Sequence, residues 1–233
     1  MPPRTRKAER RTEALSRERI VEAAIELLDA SGEGALTFRA LTERLATGPG
    51  AIYWHVANKG ELLDAATDAV IAAALPLRPA GSPGAPQDEI RAVAFSLFET
   101  IEQHPWLSIQ LSAQLSRNPV GSVTPRIFEC VGRHVRALDM PESSWFTATS
   151  ALVHYVLGAA GQNSANTANV RSIGSDVDRA GFLDTVSSAW ESLDPDDYPF
   201  ARAIANQMRD HDDREQFRAG IDLILAGITT LPR

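Results

Sequence analysis

Cysteine is almost missing from this 233-residue chain, which contains only Cys130. A single cysteine cannot form an intrachain disulfide, so other contacts must stabilise the fold and a reducing cytoplasm is the expected compartment. The apolar neighbours Phe128 and Val131 predict that the Cys130 thiol is buried and does not act as a nucleophile.

The chain also lacks long hydrophobic runs. The longest, from Ala69 to Leu75, is far shorter than the roughly 20 residues that cross a bilayer. No apolar stretch follows the charged residues at the start of the sequence, so we expect no signal peptide. Both absences predict a soluble, cytoplasmic protein that does not insert into a membrane.

Motifs for catalysis, cofactor binding and metal binding are missing as well. Gly48-Pro49-Gly50 follows no strand pattern and precedes no Gly-Lys-Ser/Thr, so it is neither a phosphate loop nor a dinucleotide fingerprint. No His-Glu-x-x-His or paired-cysteine spacing occurs. Residues 210–213 (Asp-His-Asp-Asp) are predicted to be a solvated turn. We therefore predict a protein that is not an enzyme and holds no cofactor or metal.

Acidic side chains are in excess, but the charge is unevenly distributed. The chain has 23 Lys and Arg against 30 Asp and Glu, a formal net charge of −7. Residues 1–59 hold ten of the basic and eight of the acidic side chains, so this end is slightly positive and the remainder is strongly negative. This distribution is typical of a protein that presents one end to a polyanion.

Residues 1–16 form a basic segment without apolar periodicity, which predicts a flexible arm. Its cations are Arg4, Arg6, Lys7, Arg10 and Arg11. Two interpretations remain open at this point. The segment is either a solvated tail or an arm that lies along DNA or enters a minor groove.

The most informative stretch begins at Thr37. Leu41 and Leu45 are four residues apart and share one face of a short helix, for which Thr37 is a suitable N-cap. Pro49 suits the first turn of a second helix, and the glycines on either side of it permit a tight turn. Two short helices joined in this way predict a helix-turn-helix.

The second helix of this motif carries the side chains expected to meet DNA. A helix that begins with small residues can approach base edges in a major groove, and this helix begins with Gly48, Gly50 and Ala51. Hydroxyl, imidazole and ammonium groups commonly hold phosphates, and they follow on Tyr53, His55 and Lys59.

From Ile20 to about Val70 the sequence resembles the TetR family of bacterial repressors. The string Ile52-Tyr53-Trp54-His55-Val56, followed by Asn58-Lys59 and Leu62-Leu63-Asp64-Ala65, is most similar to the tetracycline-repressor branch. The resemblance implies a three-helix DNA-binding domain over residues 17–60. Together with the pattern, it implies these DNA-binding residues: Thr37, Arg39, Gly48, Pro49, Gly50, Ala51, Tyr53, Trp54, His55 and Lys59. Trp54 remains open between an exposed position, which the family pattern implies, and a core position, which periodicity allows.

Helical periodicity extends over the whole chain beyond the arm, and no segment shows strand alternation or a fixed repeat, so the predicted fold class is all-α. The helices predicted outside the helix-turn-helix cover residues 17–30, 59–75, 87–103, 106–115, 125–138, 141–160, 179–193, 198–208 and 214–230. Residues 76–86 and 161–176 are predicted to be loops. The predicted core of the N-terminal domain is Ile20, Ala24, Leu27, Leu28, Leu36, Leu41, Leu45, Ile52, Val56 and Leu63.

The resemblance continues more weakly past the linker and implies that residues 61–233 form a helical effector-binding and dimerisation domain. Family members form a homodimer through the equivalents of the helix after Pro141 and the C-terminal helix. Small residues that would permit close helix approach occur on both helices: Gly158, Ala159, Ala226 and Gly227. The alternative is that both helix faces are buried within one chain.

The resemblance also implies an effector chamber, but one without the magnesium ligands of the tetracycline repressor. Leu111 occupies the position of a histidine on the sixth helix of that repressor that helps to hold magnesium. Gln162 occupies the position of its acidic residue after the eighth helix. Because magnesium needs oxygen ligands, we predict no binding of a metal–tetracycline complex. The chamber is expected to suit a largely hydrophobic small molecule and to be lined by Leu97, Leu111, Gln114, Val131, His134 and Gln162. For His134, a ligand contact and a purely structural role both remain open.

Together these features predict a transcriptional repressor that binds a pseudo-palindromic double-stranded DNA operator as a dimer. A small, largely hydrophobic effector would release it from the operator. An activator or co-regulator on the same fold is the alternative, which the sequence does not separate from repression.

Overall fold

The computed structural model describes residues 15–78, 84–173 and 179–230, so the predicted arm lies almost entirely outside the described residues. Within these ranges all regular secondary structure is helical, which confirms the all-α prediction. The α-helices of the described ranges are α1 (Arg17–Ser31), α2 (Phe38–Leu45), α3 (Pro49–Tyr53), α4 (Lys59–Ala74), α5 (Pro86–Gln103), α6 (Leu107–Arg117), α7 (Val123–Val135), α8 (Trp145–Ile173), α9 (Arg179–Glu191), α10 (Pro199–Ile204) and α11 (Asp213–Thr229).

Local capping chemistry explains where the first helices begin and end. The Ser16 hydroxyl accepts the backbone N–H of Arg19 at 3.3 Å and starts α1. Gly32 ends this helix with a φ of 70°, a left-handed value that glycine adopts without steric cost. The predicted N-cap Thr37 accepts the N–H of Ala40 at 3.1 Å and starts α2.

Packing divides the chain into two units, one up to Ala66 and one from Thr67 onward. We predicted the change of domain at residues 60–61, whereas this division falls six residues later. It lies inside α4, so one continuous helix belongs to both units.

The N-terminal unit buries a small apolar core. Eight of the ten predicted core residues are buried: Ile20, Ala24, Leu28, Leu36, Leu41, Ile52, Val56 and Leu63. Leu27 and Leu45 are only half-buried, so their assignment to the core was wrong. Each lies near a helix end, and a three-helix unit is too small to cover both faces there.

In the C-terminal unit α5, α7 and α8 pack against one another, with α6 against α7 and α8, and α11 against α8 and α5. Phe217 of α11 lies at the centre of an aromatic cluster. Its ring stacks on Phe98 at 4.4 Å and on Tyr155 at 5.7 Å, and meets Phe95 edge-on at 5.2 Å. This cluster joins α5, α8 and α11.

The loop predicted over residues 161–176 was wrong for residues 161–173, because α8 continues to Ile173, and the last three residues of the predicted loop lie outside the described ranges. Asn163 and Ser164 are buried, and Asn163 donates its side-chain amide to Glu102 Oε1 at 2.8 Å. On the exposed side Gln162 donates to Asn166 at 3.0 Å, one turn further along. The polar side chains that suggested a loop therefore find hydrogen-bond partners while the backbone stays helical.

The other helix boundaries differ from the predictions by a few residues. Pro141 precedes one turn of 3₁₀-helix, and α8 starts only at Trp145. Pro125 lies inside the first turn of α7, which starts two residues earlier and ends three residues before Leu138. The predicted helix over residues 198–208 is α10 followed by a 3₁₀ segment, Ala205–Met208.

Candidate nucleic-acid interface and ligand-binding core

The turn between α2 and α3 is not made by its glycines. Ala46 takes the left-handed conformation, with a φ of 49°, and directs the chain out of α2. Gly48 has an extended backbone, with a φ of −84°, that any residue could adopt. The expectation that the glycines shape the turn was therefore wrong, and their role at the start of α3 needs another explanation.

The second helix of the motif is shorter than predicted. α3 spans Pro49–Tyr53, with Pro49 at its first position as expected, while Trp54 and His55 follow in a turn. The backbone N–H of His55 and that of Val56 both bond to Ile52 O, at 2.9 and 3.0 Å. This turn keeps both side chains beside the end of the helix.

The ten predicted DNA-binding residues all lie in the N-terminal unit, and eight of them are exposed. Only His55 and Lys59 are half-buried. Trp54 is 87% exposed, which excludes the core position that periodicity allowed. Tyr53 is 54% exposed, and its ring lies flat on Phe38 with 4.4 Å between the centroids.

The surface at the start of α3 is open. A Cβ atom at Gly48 or Gly50 would meet no other atom within 4 Å. Neither packing nor backbone conformation therefore requires glycine at these two positions. An exposed helix start with glycine on both sides of its first residue is a shape that can approach an external partner closely.

The cations of this unit interact with its own carboxylates. Within residues 15–66 five Lys and Arg face eight Asp and Glu. Four of these cations are in ion pairs: Arg17 with Glu61 at 3.0 Å, Arg39 with Glu43 at 2.9 Å, Lys59 with Glu33 at 3.7 Å, and Arg44 with Glu26. Lys59 also donates to the backbone oxygen of Glu33 at 2.8 Å. The positive charge of residues 1–59 thus resides mainly in the arm.

Glu61 fixes the segment between α3 and α4. One carboxylate oxygen accepts from Arg17, and the other accepts the backbone N–H of Ala57 at 2.9 Å. Asn58 caps α4 by accepting the N–H of Glu61 at 2.9 Å. These bonds tie the end of the helix-turn-helix to α1 and α4.

Five of the six predicted effector-binding residues are buried on α5, α6 and α7: Leu97, Leu111, Gln114, Val131 and His134. Gln162 does not belong with them, because it lies on the exposed side of α8. We placed it after the end of this helix, where the family has an acidic residue, and the continued helix explains the error.

His134 is 9% exposed and has a defined partner. The Arg133 Nε–H donates to His134 Nε2 at 3.1 Å. Burial, followed by the positive charge of Arg133, lowers the pKa of His134 below its ordinary value. The ring is therefore neutral near pH 7, with its proton on Nδ1.

Sequence reasoning missed several residues that the structure brings to these regions. Phe38 supports Tyr53 although 15 positions separate them, and no local pattern signals that contact. Gln110 is buried beside the predicted chamber residues of α6, and Thr149 is buried on α8. A polar residue repeated after four positions in an apolar helix, as at Gln110 and Gln114, is the one signal that could have identified a polar strip.

Two clefts of the C-terminal unit lie away from these buried residues. One, of about 590 Å³, lies between α8 and α11 and includes Gln162, Tyr155 and Asn163. The other, of about 360 Å³, is lined by the start of α5, the segment after α7 and the end of α11. Neither is lined by Leu97 or His134.

The acidic cluster around His211 is engaged within the chain. His211 Nε2 lies 2.9 Å from Asp213 Oδ1, and Asp213 also pairs with Arg179 at 2.5 Å. Asp212 caps α11 by accepting the N–H of Glu215 at 2.7 Å. In the part of the chain that the structure describes, no three His, Cys, Asp or Glu side chains gather as a metal site would require. Among the same residues, no helix is both long and apolar enough to cross a bilayer.

The sequence matches two family models over most of its length. The model described as "Bacterial regulatory proteins, tetR family" matches residues 20–66, and "Tetracyclin repressor-like, C-terminal domain" matches residues 78–231. The chain belongs to the TetR family of bacterial transcription regulators, which confirms the resemblance seen in the sequence. Its N-terminal unit is the helix-turn-helix DNA-binding domain of this family.

Individual relatives agree with this assignment. The structure of SCO7222, a TetR transcriptional regulator from Streptomyces coelicolor, is 63% identical, covers 94% of this chain and 100% of its own, and has a TM-score of 0.83. ActR of S. coelicolor in complex with actinorhodin is 25% identical over 93% of this chain and 96% of its own, with a TM-score of 0.73. The HTH-type transcriptional repressor DrrR1 of Streptomyces coeruleorubidus is 31% identical over 151 residues, 63% of this chain and 53% of that protein. The chain spans between about half and two thirds of the length of the curated relatives it matches first.

Proposed function

We propose that this chain is a dimeric transcriptional repressor that binds a pseudo-palindromic operator and is released by a small, largely hydrophobic molecule. The observation that carries the proposal is the exposed start of α3, where glycines stand on both sides of Pro49. Gly48 and Gly50 have free space around them and ordinary backbone angles, so their small size serves a partner outside the chain. A DNA major groove fits such a surface.

In this proposal α3 and the turn after it provide the DNA contacts. Gly48, Pro49, Gly50 and Ala51 approach the base edges. The side chains around them contact phosphates: Thr37, Arg39, Tyr53, Trp54, His55 and Lys59. Lys59 must leave Glu33 to do so, and Arg39 must leave Glu43. Both pairs are solvent-exposed and weak, which makes the exchange for a phosphate feasible.

The test of the DNA interface is Pro49→Glu, which places a carboxylate at the start of α3. A duplex selected in vitro with the wild-type protein serves as the operator. We expect at least about 30-fold weaker binding, because each of two copies loses on the order of 1–3 kcal/mol. Pro125→Glu, an exposed proline on α7 with the same charge change, is the matched control and should bind normally. Wild-type affinity in Pro49→Glu would contradict the assignment of α3.

Dimerisation is proposed through the exposed faces of α8 and α11, which pack side by side. Small or polar residues recur on α8 every three or four positions: Thr147, Ala151, His154, Gly158, Gln162 and Ala165. The matching stripe is Gln216, Ala219, Leu223, Ala226 and Gly227 of α11, followed by its C-cap Thr230. Leu223 projects from this small-residue surface and is 75% exposed. A second copy related by a two-fold axis would cover it.

Leu223→Arg tests this interface by sedimentation or light scattering. We expect a folded monomer, because a charge at the centre of the helix pair cannot be paired there. Phe200 is 73% exposed on α10 and lies outside both stripes, so Phe200→Arg is the matched control and should remain dimeric. A dimer in Leu223→Arg would require a different interface.

The effector is proposed to bind among the buried residues of α5, α6 and α7. Leu97, Leu111 and Val131 supply apolar surface, while Gln114 and His134 supply the few polar groups that orient a ligand. The complex of the related ActR with actinorhodin supports this class of ligand, an organic molecule bound by a protein of the same fold. We expect such a molecule to abolish operator binding by the wild-type protein. We expect the Leu111→Trp variant to keep its operator binding when the same molecule is added.

A further inference from the structure

The C-terminal end of α4 is held by side chains of α5 and α7. The last carbonyls of a helix have no partner within it, and Pro76 prevents α4 from continuing. Donors from the two neighbouring helices meet the carbonyl oxygens of residues 74–77. They are Ser96 Oγ to Ala74 O at 2.9 Å, Arg126 Nη1 to Leu75 O at 3.2 Å, Cys130 Sγ to Leu75 O at 3.9 Å, and Arg133 Nη1 to Leu77 O at 2.7 Å.

Three of these donors come from one face of α7. Arg126, Cys130 and Arg133 are spaced by four and three residues, so all three point to the same side of the helix. The two guanidinium groups also place positive charge at the negative end of the α4 dipole. Burial raises the pKa of the Cys130 thiol, which keeps it protonated as a weak donor.

Arg133 also bonds to a side chain of the proposed effector core. Its Nε–H donates to His134 Nε2 at 3.1 Å, while its Nη1 donates to Leu77 O. One planar guanidinium therefore joins a buried imidazole of the proposed effector core to Leu77, three residues after the end of α4. Because the two N–H groups have fixed relative positions, a shift at one acceptor changes the geometry at the other.

We propose that Arg133 is a positioning residue that couples the hydrogen bonding of His134 to the C-terminal end of α4. This inference rests on the proposed function for its biological meaning. A ligand group that engages His134 then acts on α4 through a single side chain. Since α4 starts at Lys59 and ends at Ala74, it is the helix that the DNA-binding unit and the C-terminal unit share.

The first test is amide hydrogen exchange of the full-length, ligand-free protein. Arg133→Met removes both bonds and keeps much of the side-chain length. We expect exchange at residues 72–75 to be about tenfold faster or more, as the loss of a charge-assisted bond predicts, with α11 unchanged. Arg136→Met is the matched control, because Arg136 is exposed at the end of the same helix. Unchanged exchange at residues 72–75 in Arg133→Met would overturn the proposal.

The coupling itself is tested by His134→Phe. This change removes the acceptor of Arg133 Nε and leaves Leu77 O in place. We expect faster exchange at residues 72–75 in the wild-type background and no further increase in the Arg133→Met background. Equal effects in both backgrounds would show that His134 acts by packing alone, and would refute the coupling.

The nitrogen resonance of His134 shows whether Arg133 positions this ring or only stabilises the surrounding fold. In the wild type His134 Nε2 accepts a bond, so its nitrogen resonance is expected at the position of an unprotonated, hydrogen-bonded nitrogen. Arg133→Lys keeps a cation near Leu77 O but lacks the fork that reaches both acceptors, so it should shift this resonance and give exchange at residues 72–75 between that of the wild type and that of Arg133→Met. An unshifted resonance would contradict the proposal. None of these measurements uses DNA, so their failure is separate from a failure of operator binding.

Discussion

Gly220 of α11 offers a sharp test of how the C-terminal unit is packed. A Cβ at this position would lie 2.0 Å from the Tyr155 hydroxyl oxygen, 2.3 Å from Cζ and 2.8 Å from Cε2. The hydroxyl lies 3.3 and 3.2 Å from the carbonyl oxygens of Gln216 and Phe217 and donates to this pair. Gly220→Ala therefore forces the Tyr155 ring out of its place between α8 and α11.

The cost of Gly220→Ala can be worked out from these contacts. Displacing Tyr155 loses a hydrogen bond of about 1 kcal/mol and an aromatic stack on Phe217 of about 0.5–1.5 kcal/mol. Overpacking adds on the order of 1–3 kcal/mol, and the better helix propensity of alanine returns about 0.5–1 kcal/mol. We expect the free energy of unfolding to fall by about 1.5–5 kcal/mol, which lowers Tm by roughly 3–20 °C for a chain of this size.

Thermal and urea unfolding at one protein concentration measures this effect. Gly132 of α7 is the control, because a Cβ there would lie 3.5 Å from Thr149 Oγ1, an ordinary contact. Gly132→Ala should therefore stabilise the chain by about 0.5–1 kcal/mol. In a Tyr155→Ala background the penalty of Gly220→Ala should vanish. A penalty of the same size in both backgrounds would refute the reasoning.

Three further predictions concern charge. Neutralising the five cations of residues 1–14 should reduce the slope of log K against log salt concentration for operator binding by several units. An unchanged slope would mean that the arm is a solvated tail that does not contact DNA. Lys59→Ala should reduce that slope by about one unit per copy on all DNA sequences alike, and no reduction would mean that Lys59 stays on Glu33. Because the pKa of His134 is lowered in the folded state, stability should be complete above about pH 6.5 and fall as pH drops through the lowered value. The loss of Tm on acidification should be smaller in His134→Gln.

Local chemistry made most of the helices predictable. Thr37 and Pro49 start helices because of a side-chain oxygen and a fixed φ, which act within a few residues. The end of α8 depends instead on partners distant in sequence. Asn163 is satisfied by Glu102, 61 positions away, and no local pattern contains that bond.

The candidate interface was predictable in its members and not in its geometry. The family resemblance selected residues that the structure exposes together, including Trp54. It did not indicate that Ala46 makes the turn, since alanine is a poor choice for a left-handed conformation and its cost must be met by packing. The exposure of Gln162 was likewise hidden, because it follows from the continuation of α8.

The ion pairs change how the charge of the DNA-binding unit should be understood. Counting residues suggests a weakly positive end, yet the described part of this unit has more carboxylates than cations, and carboxylates accompany Arg17, Arg39, Arg44 and Lys59. When one of these cations pairs with a DNA phosphate, its former carboxylate partner remains unpaired close to the DNA. The repulsion between this carboxylate and the phosphates reduces the electrostatic free energy gained on binding. Shape at α3 can select a groove, but long-range attraction needs uncompensated charge. The arm carries that charge, so its neutralisation should slow association more than it speeds dissociation.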